Sequence, residues 1–256
     1  MQVQNSYLTR IKDPHFKVRF VNEFQRVTAW VEKVVDIRAA NIFDFGCGTG
    51  IAALSFALNL PGAKVHGSDI TTNIARSLLK KAKRELDLGK LPENLTLHEM
   101  GPCELPKPAR KFDLIYSWSV FEHVRREHIA ELLLRLKSTL RPGGVFFLQV
   151  NPLYYSSRGA HLYQHISCPW VHLLHQHDVL REMVYSSTNK NQRAWLQYEA
   201  LNRITADELL ELFGQAGFSL LRETRKESKI DPPAQLLRVY RKDVLITEES
   251  MAMFTI

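Results

Sequence analysis

Cysteine is scarce in this chain: Cys47, Cys103 and Cys168 are the three among 256 residues. An odd count without C-x-x-C spacing implies neither a disulfide framework nor a zinc module of the usual kind, and it fits a reducing cytoplasm. Long apolar runs are missing too. The stretch VFFL (145–148) is far too short to cross a bilayer, so no membrane insertion is expected. The N-terminal MQVQNSYLTRIKDPHF has no apolar core behind a positive head and does not read as a signal peptide. Low-complexity tracts and internal repeats are also wanting, which argues against repeat architectures and disordered tails.

What is present suits a globular enzyme: 45% hydrophobic and 24% charged residues. The length can bury a sizeable core as one domain, or as one domain with a large insertion. A formal charge of +7 allows an acidic substrate or partner. The basic residues are scattered, however. Their densest run, KKAKR (80–84), reads as a solvated helix face, so nucleic acid is not the expected partner.

Periodicity supplies the organisation. Apolar residues at helical spacing (Val18, Val21, Phe24, Val27, Val31, Val34) predict a helix over 18–35. NIFDF, KVHGSDI, NLTLHEM, KFDLIYSW and VFFLQV read as strands, separated by the helical stretches GIAALSFALNL, NIARSLLKKAKREL and REHIAELLLRLKSTL. That alternation predicts a parallel sheet with helices on both faces. After Val150 the rhythm breaks for about fifty residues rich in His, Tyr, Trp and Ser. It resumes at TADELLELFGQAGF, where Thr205 and Glu208 form a capping-box pattern. FSLLRET and LLRVYRKDVLI are expected to be the last two strands. The reading is one doubly wound, Rossmann-like α/β domain over 1–256, with a cap insertion over 151–203 after the fifth strand.

FDFGCGTG (43–50) places three glycines at alternate positions between a strand and a helix. A glycine-rich turn there exposes backbone N–H groups at a helix dipole end and lets a ligand come close. The spacing Gly46-x-Gly48-x-Gly50 is neither G-x-G-x-x-G nor a phosphate loop, since no lysine follows. Asp69, at the end of the next strand, stands where a carboxylate can grip ribose hydroxyls. The plainer alternative is a tight turn with Asp69 as a helix cap.

Four motifs in order, IFDFGCGTG, KVHGSDI, KFDLIYSWSVFEHV and LKSTLRPGGVFFLQV, resemble the class I S-adenosylmethionine-dependent methyltransferases of the small-molecule type. The resemblance implies a seven-stranded, mostly parallel sheet, with S-adenosylmethionine as cofactor and S-adenosylhomocysteine as product. It places Asp44, Gly46, Cys47, Gly48 and Gly50 along the methionine half. Asp69 falls on the ribose, Ile70 on adenine, and Ser117 and Trp118 beside the sulfonium. One departure concerns adenine. The family's acidic residue four positions before the Leu105–Pro106 pair is replaced here by Gly101, and Pro102 has no N–H to give. Glu99 and the Cys103 backbone are the substitutes at hand.

Methyl transfer from a sulfonium is an in-line displacement, in which the protein mainly aligns a nucleophile and excludes water. A hydroxyl acceptor gains from a general base, most often His. His123 in FEHV is one candidate, with a structural role as its alternative, and Glu122 reads as a helix N-terminal carboxylate. The insertion supplies His161 and His165 as further catalytic candidates. His161 and His165, or His172 and His175, could share a helix face and suggest a metal, but no dependable carboxylate accompanies them except Asp178. Aromatic cap material is the preferred account, and no metal is assigned. Tyr154, Tyr155, Arg158, Tyr163 and Trp170 are the expected substrate-binding residues, flat amphipathic groups suited to sugar faces and ring edges. The expected activity is methyl transfer to a small polar acceptor, such as a hydroxyl on a sugar, a glycan precursor or a similar metabolite. The alternatives are a nucleic-acid or protein methyltransferase, and a cofactor-binding scaffold without catalysis. Oligomeric state is not legible.

Overall fold

The computed structural model describes residues 1–106, 111–187 and 191–256. A π-helical turn over Val18–Glu23 runs directly into α1 (Phe24–Val31). There follow β1 (Asn41–Phe45), α2 (Ile51–Asn59), β2 (Lys64–Asp69), α3 (Ile74–Leu86), β3 (Leu95–Glu99), β4 (Phe112–Trp118), α4 (Arg126–Thr139) and β5 (Leu140–Val150). The cap holds α5 (Val171–Leu174), α6 (His177–Ser187) and α7 (Asn191–Glu199). The chain then returns through α8 (Ala206–Gln215), β6 (Ser219–Glu227), α9 (Ala234–Leu237), α10 (Lys242–Ile246) and β7 (Thr247–Thr255).

The strands form one seven-stranded sheet in the order β3-β2-β1-β4-β5-β7-β6. All neighbours from β3 to β5 are parallel, whereas β7 runs antiparallel to both β5 and β6. The chain works outward from β1 to β3, then crosses back to lay β4 on the other side of β1. That reversal opens a crevice beyond the carboxyl ends of β1 and β4, where open α/β sheets bind ligands. The doubly wound α/β architecture thus stands as the sequence implied.

Two apolar layers cover the sheet. On one face Phe20, Phe24, Val27 and Trp30 pack with α2, which is buried from Ile51 to Ala57 because it lies between the sheet and the N-terminal helix. Ser55 on α2 donates its hydroxyl to Phe20 O at 2.5 Å, fixing the π turn to the helix beneath it. On the other face α4 and α8 cover Phe43, Phe112 and Phe146, and Phe213 stacks on Phe254 of β7 at 4.2 Å. The capping box of α8 forms as its pattern required, with Glu208 N–H on Thr205 Oγ1 and Thr205 N–H on Glu208 Oε2. A separate apolar cluster around Tyr154, Val184, Trp195 and Tyr198 holds the cap together.

Two expectations are corrected. LLRVYRKDVLI is not a strand: it carries α9 and α10, with Leu236 and Leu245 buried while Val239 is 72% exposed. The last strand is β7, whose Glu248 and Glu249 give a polar look to a segment lying between two neighbours. Glu249 is nevertheless buried, held by Arg26 at 2.9 Å and Gln149 at 2.7 Å. At the N-terminus, the π turn adds a residue to the first helical repeat. Its phase therefore shifts, so that Phe20 is buried and Val18 stands 52% exposed.

Candidate active site

The crevice is floored by the loop leaving β1. Gly46, Gly48 and Gly50 all have positive φ, +78°, +55° and +75°. Gly46 and Cys47 both send their N–H to Ser68 O at 2.9 Å, tying the loop to β2. A Cβ on Gly46 would lie 2.3 Å from Val120, on the turn after β4, so backbone approach there is enforced. Gly48 differs. Nothing lies within 4 Å of where its Cβ would point, and its bare face looks into open space. Its N–H donates to Asp69 Oδ2 at 2.7 Å. The other oxygen of Asp69 takes the N–H and hydroxyl of Thr71 at 2.8 and 2.6 Å. The carboxylate is therefore fixed at the rim of the loop.

Beneath the loop lies a group of acids that charge alone would keep apart. Asp44, buried in the middle of β1, is raised well above the usual carboxylate range by desolvation and then by Glu23. Glu23, from the π turn, is raised to about 7 by burial, against the pull of Arg19 at 3.1 Å. Asp44 Oδ2 and the Tyr116 hydroxyl are buried without a hydrogen-bond partner among the described residues. Burial also pushes the Cys47 thiol up, with Asp44 adding to it. Two buried carboxyls that resist ionisation, under an open backbone nest, form a place that a cation would stabilise.

The post-β4 turn carries the second half of the site. Ser119, at φ +53°, donates its hydroxyl to Gln149 Oε1 at 3.0 Å or to Asn151 O at 3.1 Å. Ser117 is fully buried and spends its hydroxyl on Phe45 O at 3.1 Å. It braces the glycine loop from below, which corrects its expected place beside the sulfonium. Trp118 stacks near Phe147 with the Arg26 guanidinium 5.2 Å from its ring. Ile70 is 67% exposed, as a residue awaiting a flat partner would be. Around Gly101, the Glu104 carboxylate accepts the Gly101 N–H at 3.0 Å, and Glu99 accepts from Ile74 N–H at 3.2 Å.

His123 and His161, far apart in sequence, meet edge-to-face with ring centroids 5.1 Å apart. His123 keeps an exposed edge, yet its enclosed ring and His161 beside it drive its pKa down. Burial lowers His161 as well, and its Nε2–H donates to Pro152 O at 3.2 Å, which leaves Nδ1 as an acceptor. Both imidazoles are thus held neutral near pH 7. His165 makes no contact with this pair among the described residues; its Nδ1 is buried and unpartnered. Glu122 is not at a helix N-terminus. It lies in the turn before α4, 3% exposed, and desolvation raises it to about 8 against the opposing pull of its own and the Asn151 backbone N–H.

The cap contributes a cavity of about 250 Å³, lined by Tyr154, Tyr155, His172, Leu173, His175, His177, Tyr198, Arg203 and Tyr240. His172 donates Nε2–H to Tyr154 O at 2.6 Å, and Tyr154 and Tyr198 share a hydroxyl contact at 3.3 Å. Arg158 stacks on Tyr163 at 4.1 Å, outside this cavity. Trp170 departs most from expectation: it is 1% exposed, with Nε1–H on Leu245 O at 3.2 Å, and packs with Leu236 and Leu245. A ring so enclosed anchors the cap and cannot face a substrate. No group of three or more His, Cys, Asp or Glu side chains gathers for a metal ion among the described residues.

Several participants were missed from sequence. Glu23 had a signal, an acid on the apolar face of a helix between Val21 and Phe24. Arg203 and Asn202 had none, because their place depends on tertiary closure. Asn202 Nδ2 donates to Phe121 O and Val124 O at 2.5 and 2.8 Å, and Asn202 N–H donates to Glu122 O at 3.1 Å. One residue thereby ties the end of the cap to the turn that carries His123.

Comparisons with known proteins bear on this site. A family model described as a methyltransferase domain matches residues 19–223. Trans-aconitate 2-methyltransferase of Deinococcus radiodurans is 36% identical over 111 residues, 43% of this chain and 38% of that protein. Magnesium-protoporphyrin O-methyltransferase of Synechocystis is 29% identical over 112 residues, 44% of this chain and 45% of its own. The chain spans less than half the length of the curated relatives it matches. The crystal structure of magnesium protoporphyrin IX methyltransferase from Synechocystis, with bound SAH, superposes with a TM-score of 0.51. It covers 91% of this chain and 81% of that one at 17% identity, a likeness of fold.

Proposed function

The chain belongs to the methyltransferase-domain family, and from that premise we propose that it transfers the methyl group of S-adenosylmethionine to a small polar acceptor. The acceptor is a hydroxyl on a sugar, a glycan precursor or a similar metabolite. The observation that carries the reading is the open face of Gly48, set between the fixed Asp69 carboxylate and the unsatisfied Asp44 oxygen.

The residues fit the cofactor. Asp69 reaches the ribose hydroxyls, Gly46, Gly48 and Gly50 clear the path of the chain, and Ile70 offers a surface to adenine. Asp44 and Glu23 would hold the amino-acid ammonium, and Arg19 beside Glu23 would meet the carboxylate. When bound, the cofactor supplies an activated methyl carbon. The protein's part is to hold the acceptor oxygen in line, to keep water out with the cap, and to take the hydroxyl proton. His123 is the proposed base on its place in the turn after β4, edge-to-face with His161; its lowered pKa leaves it neutral and makes it a weaker base than a free imidazole. His161 orients it by ring contact. The relatives' names divide between O-methyltransferases and an N-terminal Xaa-Pro-Lys N-methyltransferase, so oxygen as the acceptor atom rests on the site alone.

Calorimetric titration with S-adenosylmethionine tests the cofactor, with Asp69→Ala expected to abolish binding. Release of S-adenosylhomocysteine in the presence of sugar and polyol acceptors tests the reaction. Binding without turnover on any acceptor would favour a scaffold, and no binding at all would refute the proposal.

A further inference from the structure

The cap cavity holds a feature that methyl transfer alone does not require. Among its nine lining residues none is acidic, three are histidines, four are tyrosines and one is Arg203. Two acids that could reach toward the walls are already engaged: Glu199 pairs with His177 at 3.3 Å, and Glu208 with Arg126 at 2.5 Å. Arg203 itself has no carboxylate within ion-pair reach among the described residues, and its guanidinium lies 5.4 Å from the Tyr154 ring.

The backbone at Arg203 is equally unusual. Its φ is +56°, a left-handed conformation that costs a non-glycine residue about 1 kcal/mol or more. The neighbours enforce it. Leu201 and Ile204 are buried, Asn202 is clamped to the post-β4 turn, and Ile204 N–H returns to Asn202 Oδ1 at 3.1 Å. An arginine is thus set at a fixed distance from the turn that carries His123, over a cavity without counter-charge.

We infer that this cavity anchors an anionic group of the acceptor, a carboxylate or phosphate on a flat or ring-bearing body, with Arg203 as its counter-ion. Arginine's planar fork is suited to two oxygens of such a group. The tyrosine walls suit the faces of a ring. Arg158, expected from sequence among the substrate-binding residues, stacks on Tyr163 and does not line the cavity. The word acceptor rests on the methyl-transfer reading; the anion site does not.

The test is a calorimetric titration of the full chain, with saturating S-adenosylhomocysteine, against phenyl phosphate, benzoate and the neutral benzyl alcohol. The anionic probes are expected to bind at least tenfold more tightly than the alcohol, and the ratio of phosphate to carboxylate identifies the group. Arg203→Gln should erase the preference and leave S-adenosylhomocysteine affinity unchanged, while Arg203→Lys should keep part of it. No preference in the wild type, or a preference that survives Arg203→Gln, overturns the inference. The same titrations without S-adenosylhomocysteine decide it even if that molecule fails to bind, in which case the methyl-transfer reading alone falls.

Discussion

Replacing Glu122 by glutamine should make the protein more stable at alkaline pH, by an amount that grows with pH. Glu122 is buried, and desolvation raises its pKa from 4.5 to about 8. The folded chain therefore keeps a proton that the unfolded chain has released. Stability from this group is complete below the unfolded value, falls as pH rises, and levels off once pH passes the folded value. Each unit in that interval costs about 1.4 kcal/mol, so the total approaches ~5 kcal/mol, of which ~3 is gone by pH 7. Glutamine has the same shape and nothing to ionise. In urea unfolding, the stability of Glu122→Gln minus that of wild type should rise by about 4 kcal/mol between pH 5 and pH 8.5. Glu23 is shifted in the same direction, but its contribution cancels in the difference. Parallel stability curves for the two proteins would show that Glu122 ionises in the fold as freely as in solution, and the burial argument would fail.

Three further outcomes are expected. Gly46→Ala should cost more than ~2 kcal/mol of stability, because its Cβ meets Val120 at 2.3 Å. Gly48→Ala should cost only ~1 kcal/mol of backbone strain yet lower S-adenosylmethionine affinity at least tenfold; equal losses of stability in a thermal melt would refute the distinction. His123→Ala and His161→Ala should each reduce turnover far more than cofactor affinity. Because His123 is depressed from its ordinary 6.5, wild-type kcat should show no acid limb near that value; a fall centred there would remove His123 as the base. Asn202→Ala gives up the contacts to Phe121 and Val124, worth about 2 kcal/mol together, and should raise the acceptor KM while leaving cofactor binding intact.

Much of the sheet could be read in advance because its central strands are short apolar runs ended by glycine or an acid. NIFDF became β1 with its ends in place, and KVHGSDI became β2 less its last residue, ending at Asp69. The glycine loop was equally legible, since three alternate glycines leave few other conformations. β7 was not, because the burial of Glu249 depends on Arg26, 223 positions away. The same limit hid the acids beneath the loop. Asp44 was visible as a motif residue, whereas Glu23 joins it only when the π turn rotates it inward. In the cap, tyrosines and histidines were identified by type. Which of them face a cavity, and which, like Trp170, brace the interior, depended on folds of the chain that leave no periodic trace.

The Asn202 clamp has a bearing on how such a protein could change its chemistry. Since the seam between cap and core is drawn at 202–204, residues 151–201 could be exchanged for those of a relative and still be stitched to the turn that bears His123. Retargeting to a new methyl acceptor would then amount to a graft upstream of that stitch, with the engine of transfer left untouched.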